Sequence, residues 1–414
     1  RCRRGEHQGR AATGAGPEAA DGSGFGGTIG AAGVNANARG FAPSVAMDSY
    51  NYTSDISEMT GRAASYPGEA GKLYVSNHSY GFRAGWETDT KTWWGSCTLG
   101  VEDDFGKYST YTRDMDNLAY NAPYYLAVWV AGNDRNDNPV AGDTYSYCSS
   151  TISYNAATHP PGDGLYKNGY DTIEGYGLAK NVLTVGSVHD AVTSGTRDLS
   201  KATMSNFSGW GPTDDGRVKP DLVANGESLW SSTAASVSSY GTFTGTSMAA
   251  PNVTGTAILL ADYFDHLFPG HALRASTLKA LLLHTADDLG PTGPDYQFGW
   301  GLLNAKAAAD LLQSYAASPG NRRILESRLT TAKPTDTFTI TASGAEPLRV
   351  TLGWTDPPGT ATTAHDSRTV RLVNNLDLRV VSPAGTTNFP YVLDVLNPAN
   401  PATFGKNNYD NTEQ

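Results

Sequence analysis

The run Gly245-Thr-Ser-Met-Ala-Ala-Pro251, followed by Asn252-Val-Thr-Gly-Thr-Ala-Ile-Leu-Leu-Ala-Asp-Tyr-Phe264, constrains this chain more than any other stretch. After Pro251, large apolar residues return at three- and four-residue spacing with small ones between them, which is the pattern of a buried helix. Pro251 suits the first turn of that helix, where no backbone N–H is needed. Ser247 therefore falls at or near a helix N-terminus. Unpaired N–H groups and the positive end of the dipole favour the negative charge that develops when a hydroxyl attacks a carbonyl. Small residues at Gly245, Ala249 and Ala250 let a substrate backbone come close. A serine that merely caps a helix explains any one of these features but not the septet together.

The septet resembles the serine motif of the subtilisin-like serine peptidases, the subtilases, and other segments extend the likeness over most of residues 27–317. Val128-Trp-Val-Ala-Gly-Asn133-Asp is similar to the family's strand ending in Ala-Gly-Asn. The resemblance implies that the Asn133 amide donates to the oxyanion, with Ala131 and Gly132 beside the substrate. Val75-Ser-Asn-His-Ser79-Tyr80-Gly81 is similar to the Ser-Leu-Gly strand. It implies that Ser79, Tyr80 and Gly81 pair with the substrate main chain, as an added strand does. They also form one wall of the pocket for the residue before the scissile bond. Thr246 joins the substrate-binding set by its place in the septet. Phe207 to Gly226 resembles the family's run ahead of the serine loop and reads as scaffold.

A subtilase also needs an aspartate and a histidine, in that order and ahead of the serine, and here the chain departs from the pattern. None of the eight histidines is followed by Gly-Thr-His. What should follow the histidine motif is present from Gly27 to Asp48, whereas residues 1–26 contain hardly an apolar side chain larger than alanine. That segment reads as disordered or out of frame, and the chain as cut at both ends. His7, in Glu-His-Gln-Gly, is a weak candidate for the base. Asp48 imitates the family's Asp-Ser strand but lies after the histidine position, so it reads as a strand-end residue.

A net charge of −11 and only 17% charged residues argue against nucleic acid and anionic membranes, whose partners carry basic stripes. No apolar run approaches the length of a membrane span. Cys97 and Cys148 lie in long polar, aromatic loops around the Asn133 strand. A disulfide suited to a secreted enzyme and two free thiols are both open to them. Sequons at Asn77 and Asn252 fall where a glycan would block the cleft, which points to a secreted bacterial protein.

Apolar strands at Leu73–Ser76, Tyr125–Val130 and Val182–Val185 alternate with helical stretches, as a parallel sheet requires. The expected fold is α/β, a parallel-sheet subtilisin-like domain over residues 27–317. An incomplete all-β sandwich follows over 318–414, read from period-two runs at Thr337–Ala342, Leu348–Trp354 and Leu376–Gly385. Trp354-Thr-Asp-Pro-Pro-Gly359 with Leu372-Val-Asn-Asn-Leu-Asp-Leu378 resembles the jelly-roll domain appended to some bacterial alkaline subtilases. Asn375 and Asp377 there are oxygen ligands of the kind a structural calcium takes, though Asn and Asp more often form turns.

The resemblance implies a monomeric serine-type endopeptidase that acts on protein or peptide substrates without a catalytic cofactor, with Ser247 as nucleophile. A peptide-binding pseudoprotease stands beside that reading, because the histidine and aspartate motifs are missing. An α/β-hydrolase esterase fits less well, since its nucleophile elbow needs Gly where Ala249 stands.

Overall fold

A computed structural model describes residues 18–50, 52–342, 344 and 347–414. His7 and Cys2 lie outside the described residues. The central sheet has four parallel strands in sequential order: β1 (Val75–His78), β2 (Leu126–Val130), β3 (Leu183–Val188) and β4 (Leu222–Asn225). Every position of β2 and β3 is buried, as continuous apolar strands covered on both faces must be.

Helix α1 (Glu18–Gly30) begins within the segment read as structureless, so the order of the chain reaches further upstream than the Gly27 start of the resemblance. Its small residues let it lie against the serine-bearing helix, here α4 (Thr246–Leu267), which in turn packs on all four strands. The intervening helices are α2 (Asp55–Arg62) and α3 (Thr110–Asn121). Ser109 caps α3, its Oγ accepting from the Thr112 N–H. Beyond α4 come α5 (Ala275–His284) and α6 (Ala305–Ala317), close to the amphipathic runs in the sequence, and Asn304 caps α6 by accepting from the Ala307 N–H at 3.0 Å.

The long inserts flanking β2 fold into a small four-stranded sheet of Trp86–Glu87, Thr92–Trp93, Thr144–Tyr147 and Ser150–Ser153. Its core is aromatic, made of Trp86, Trp93, Tyr145 and Tyr154. Of the two states open to Cys97 and Cys148, the disulfide is the one observed, closing a loop of sequence separation 51 across this insert.

The β region after residue 318 is sparser than its alternating sequence implies. Its described strands are two-residue antiparallel pairs: Leu352–Gly353 with Thr412–Glu413, Val380–Val381 with Thr387–Asn388, and Tyr391–Val392 with Thr403–Phe404. The run Thr337–Ala342 forms no strand. Phe338 and Ile340 stay 42% exposed, and alternation yields a strand only where another layer covers the apolar face.

Buried charge ties this region to the first domain. The Lys180 ammonium pairs with Asp356, both fully shielded, and also donates to Pro357 O at 2.6 Å and Arg371 O at 3.0 Å. Asp356 accepts in addition from the Val373 and Asn374 N–H groups at 2.8 and 2.7 Å. Removing one partner strands the other charge in a dry site, at a cost of about 3–5 kcal/mol. Asp356→Ala should therefore lower the unfolding free energy by that amount in a denaturant titration, while Lys306→Ala, on an exposed pair with Asp310, leaves the midpoint in place. Alkylation without reductant should add no mass at Cys97 or Cys148. Two additions there would show free thiols.

Candidate active site

Ser247 lies in the first turn of α4, as its sequence context required. Ahead of it Gly245 has φ +149° and ψ 162°, a conformation open mainly to glycine, and its N–H donates to Gly226 O at 2.9 Å. The serine loop is thus hung from the residue that follows β4. Its approach to α4 is fixed by backbone, not by side-chain packing.

Asn133, at the end of β2, meets this loop. The Thr246 N–H and the Thr246 hydroxyl both donate to Asn133 Oδ1 at 2.9 Å. A backbone N–H can only donate, so the amide oxygen must face Thr246 and the amide NH2 is left to donate elsewhere. Asn133 is exposed, so that donor is open to a ligand arriving beside Ser247. Gly132, at φ +89°, makes the turn that aims it.

The end of β1 closes the other side. Ser247 Oγ donates to Ser79 O at 3.4 Å, a long bond that leaves the hydroxyl loosely held, and Ser79 Oγ donates to Ser247 O at 3.0 Å. Tyr80 is anchored at both ends: its carbonyl accepts from Trp129 Nε1 at 3.0 Å and its hydroxyl donates to Asp55 at 3.2 Å. Gly81 is exposed at the rim. The structure therefore gathers Ser247, Thr246, Asn133, Gly132, Ala131, Ser79, Tyr80 and Gly81, all singled out in the sequence, around one cleft formed by strand ends and a helix start.

No described histidine hydrogen-bonds to Ser247, whose hydroxyl has Ser79 O as its partner among the described residues. His78, one residue from Ser79, is turned into the sheet. It stacks on Trp129 at 4.2 Å, and its ring nitrogens face Ser76 Oγ at 2.6 Å and Tyr80 OH at 2.9 Å. Burial pushes its pKa down to about 3, so it is a neutral packing element at ordinary pH. Helix α1 reads Glu18-Ala-Ala-Asp-Gly-Ser-Gly-Phe-Gly-Gly-Thr-Ile-Gly30, without a histidine. It is moored beside the serine loop by Ser231 Oγ donating to Gly24 O and Ser232 Oγ donating to Ser23 O, each at 2.8 Å. Asp48 pairs with Arg62 on the surface.

Asn375 and Asp377 have protein partners in the β region. The Asp377 carboxylate faces Arg379 at 3.1 Å and Lys406 at 3.8 Å, while Asn375 Nδ2 donates to Asn408 Oδ1 at 3.0 Å. Among the described residues, the acidic side chains grouped closely enough to hold a metal are Asp171, Asp214 and Asp366, with an oxygen from each within 4.8 Å of the others. Sequence reading missed this group because its members are far apart in the chain. The Lys167 ammonium already bridges Asp171 and Asp366, at 2.6 and 2.5 Å.

The Subtilase family model matches residues 12–301, a span that includes α1, the sheet and the serine helix. The chain belongs to the subtilase family. Among curated relatives, a Serine protease/ABC transporter B family protein, tagA of Dictyostelium discoideum, is 30% identical over 211 residues, covering 44% of this chain and 12% of that protein. Its tagB counterpart is 24% identical over 440 residues, covering 83% of this chain and 22% of the relative. A C5a peptidase of Streptococcus pyogenes serotype M6 is 31% identical over 152 residues, 35% of this chain and 12% of that protein. The chain thus spans less than a quarter of the length of these relatives. The parallel sheet followed by antiparallel pairs agrees with an α/β subtilase domain followed by a β region.

His78 offers a clean test of its packing role. Between its ordinary value of 6.5 and about 3 the unfolded chain takes up a proton that the folded chain refuses, so stability falls as pH drops through that window. The slope from this one group is roughly 1.4 kcal/mol per pH unit. His78→Phe should remove that share of the acid destabilisation, seen as a flatter dependence of the unfolding free energy on pH between 6.5 and 3.

Proposed function

We propose that this subtilase is a serine-type endopeptidase acting on proteins or peptides through an acyl-enzyme on Ser247. The observation that carries the reading is the pairing of Thr246 with Asn133 Oδ1, which leaves the Asn133 amide NH2 free to donate one residue away from the half-buried Ser247. An acyl carbonyl seated there places its carbon against Ser247 Oγ and its oxygen between the Asn133 NH2 and the N-terminal amides of α4. As the hydroxyl adds, the negative charge moves to that oxygen, where prearranged donors stabilise it most. Ser79 to Gly81 would hold the substrate main chain as an added strand. The Ser247 proton must pass to a base as the bond forms, and no described histidine hydrogen-bonds to that hydroxyl; nothing in the acyl transfer itself calls for a cofactor.

The disulfide Cys97–Cys148 supports an oxidising, extracellular setting, and we read the chain as part of a secreted bacterial enzyme that works as a monomer. A second reading, a peptide-binding pseudoprotease, is favoured by one observation: no described histidine hydrogen-bonds to Ser247, and α1, which packs against α4, carries none. The two readings differ in what a supplied base does. As the chain stands, Ser247 should react slowly with a fluorophosphonate probe, because a serine without its base stays protonated at neutral pH. Grafting a subtilase Asp strand and a His-Gly-Thr-His start onto α1 should restore labelling and casein cleavage, and Ser247→Ala in that protein should abolish both. Asn133→Ala there should lower turnover by about 10² to 10³-fold, the usual cost of one oxyanion donor. A correctly folded graft that stays inert would decide for the pseudoprotease.

A further inference from the structure

Two carboxylates stand behind the cleft walls, and neither has a cation. Glu174 is 7% exposed and its Oε2 has no hydrogen-bond partner. Its other oxygen lies so close to Gly81 that a Cβ at that position would overlap it. On the opposite wall, a Cβ on Gly132 would lie 2.8 Å from Asp134 Oδ2 and 4.0 Å from Thr172 O, which ties residues 172–174 to both walls. The glycines thus bring the backbone of both walls, Ser79–Gly81 and Ala131–Asn133, against carboxylate oxygens.

The strongest charged influences on these two carboxylates are acidic. Asp134 is the strongest charged neighbour of Glu174, followed by Asp104 and Glu102, and the Phe82 N–H is the donor beside it. Asp134 in turn has Asp137 and Glu87 as its charged neighbours. The arginines adjoining these walls are committed elsewhere. Arg135 donates to Ser208 O and Ser205 O and lies over the Trp210 ring at 3.9 Å, while Arg83 pairs with Glu87 at 3.3 Å. Burial and like charge together push Asp134 up to about 7 and Glu174 well above the carboxylate range. A buried carboxylate without a partner is costly, so such groups are normally paired or neutralised.

Resting on the peptidase reading above, we propose that Asp134 and Glu174 select a basic side chain, Arg or Lys, in the residue before the scissile bond. On the peptidase reading, a carbonyl held between Ser247 Oγ and the Asn133 amide would direct the side chain of its own residue between Ser79–Gly81 and Ala131–Asn133. There the incoming guanidinium or ammonium supplies the positive charge that this part of the protein lacks. An apolar side chain would cover the carboxylates without pairing them, and a residue site that leaves buried polar groups unpaired discriminates strongly.

The test is binding, which does not depend on the missing base. The full chain is titrated calorimetrically at pH 8 with two acetylated tetrapeptide amides, Ala-Ala-Ala-Arg and Ala-Ala-Ala-Leu. The Arg peptide should bind about tenfold more tightly or better, the scale of one good charge-assisted contact. Glu174→Gln and Asp134→Asn should each reduce that ratio at least about threefold while leaving the Leu peptide's affinity unchanged. Glu174→Gln should also keep or raise the melting temperature, because it removes an unpaired charge. Equal affinities for the two peptides, or a preference for Arg that survives both substitutions, would overturn the assignment while leaving the peptidase reading intact. If neither peptide binds, the cleft is not a peptide site and both readings fall.

Discussion

A helix that must be buried along most of its length and yet present one hydroxyl to solvent is the constraint on which this structure turns. Met248 to Ala257 of α4 are shielded without interruption, and the residues that allow it are small. Gly255 lies so close to Phe41 that a Cβ there would sit 2.5 Å from the Phe41 Cβ, and Ala249, Ala250 and Ala257 are fully covered. Because α4 touches all four strands, the sheet, the helix and α1 must be placed together, and Ser247 inherits that rigidity. Hydrogen bonds from three separate strand ends then fix its surroundings: Gly226 after β4, Asn133 after β2 and Ser79 after β1. A site on rigid element ends holds its geometry better than one built on loops.

Beneath the sheet the interior is organised by charge. Asp221 accepts from the Lys219 and Lys279 ammoniums at 2.6 and 2.7 Å and from the Thr184 N–H at 2.7 Å. Burial pushes Lys219 down to about 7 even with that carboxylate beside it. Lys180 and Asp356 carry the same device across to the β region, and Arg217 lies on Asp215 nearby. These pairs satisfy each other, which is what distinguishes them from Glu174, whose Oε2 has no hydrogen-bond partner and whose strongest charged neighbour is Asp134.

Much of the cleft was legible in the sequence because its parts are local. The spacing after Pro251 placed the helix, the run to Asn133 placed a buried strand, and Ser79 to Gly81 followed a third apolar segment. The β region was harder to read. The alternation at Thr337–Ala342 met no covering layer, and Leu348–Trp354 contracted to the pair Leu352–Gly353. The start of α1 at Glu18 was hidden for the opposite reason: Ala and Gly carry no apolar signal, yet small residues let α1 lie against α4. That Asp377 faces Arg379 and Lys406 is a matter of which side chains the turns bring near, which no local pattern encodes.

By itself, the sequence determined the local conformations and the chemistry each could offer: a serine at a helix start, an amide at a strand end, a chain of glycines where backbone must approach backbone. These follow from short-range sterics and hydrophobic period, which act within a few residues. Only the tertiary structure decided which groups face one another. Ser79 meets Ser247 across 168 positions, and Asn133 meets Thr246 across 113. Glu174 comes to lie behind Gly81, His78 is turned inward against Trp129, and α1 arrives beside the serine loop without an imidazole. Those juxtapositions depend on packing the whole sheet at once, because burial rewards the total apolar area removed from water and is indifferent to which polar groups are carried along with it.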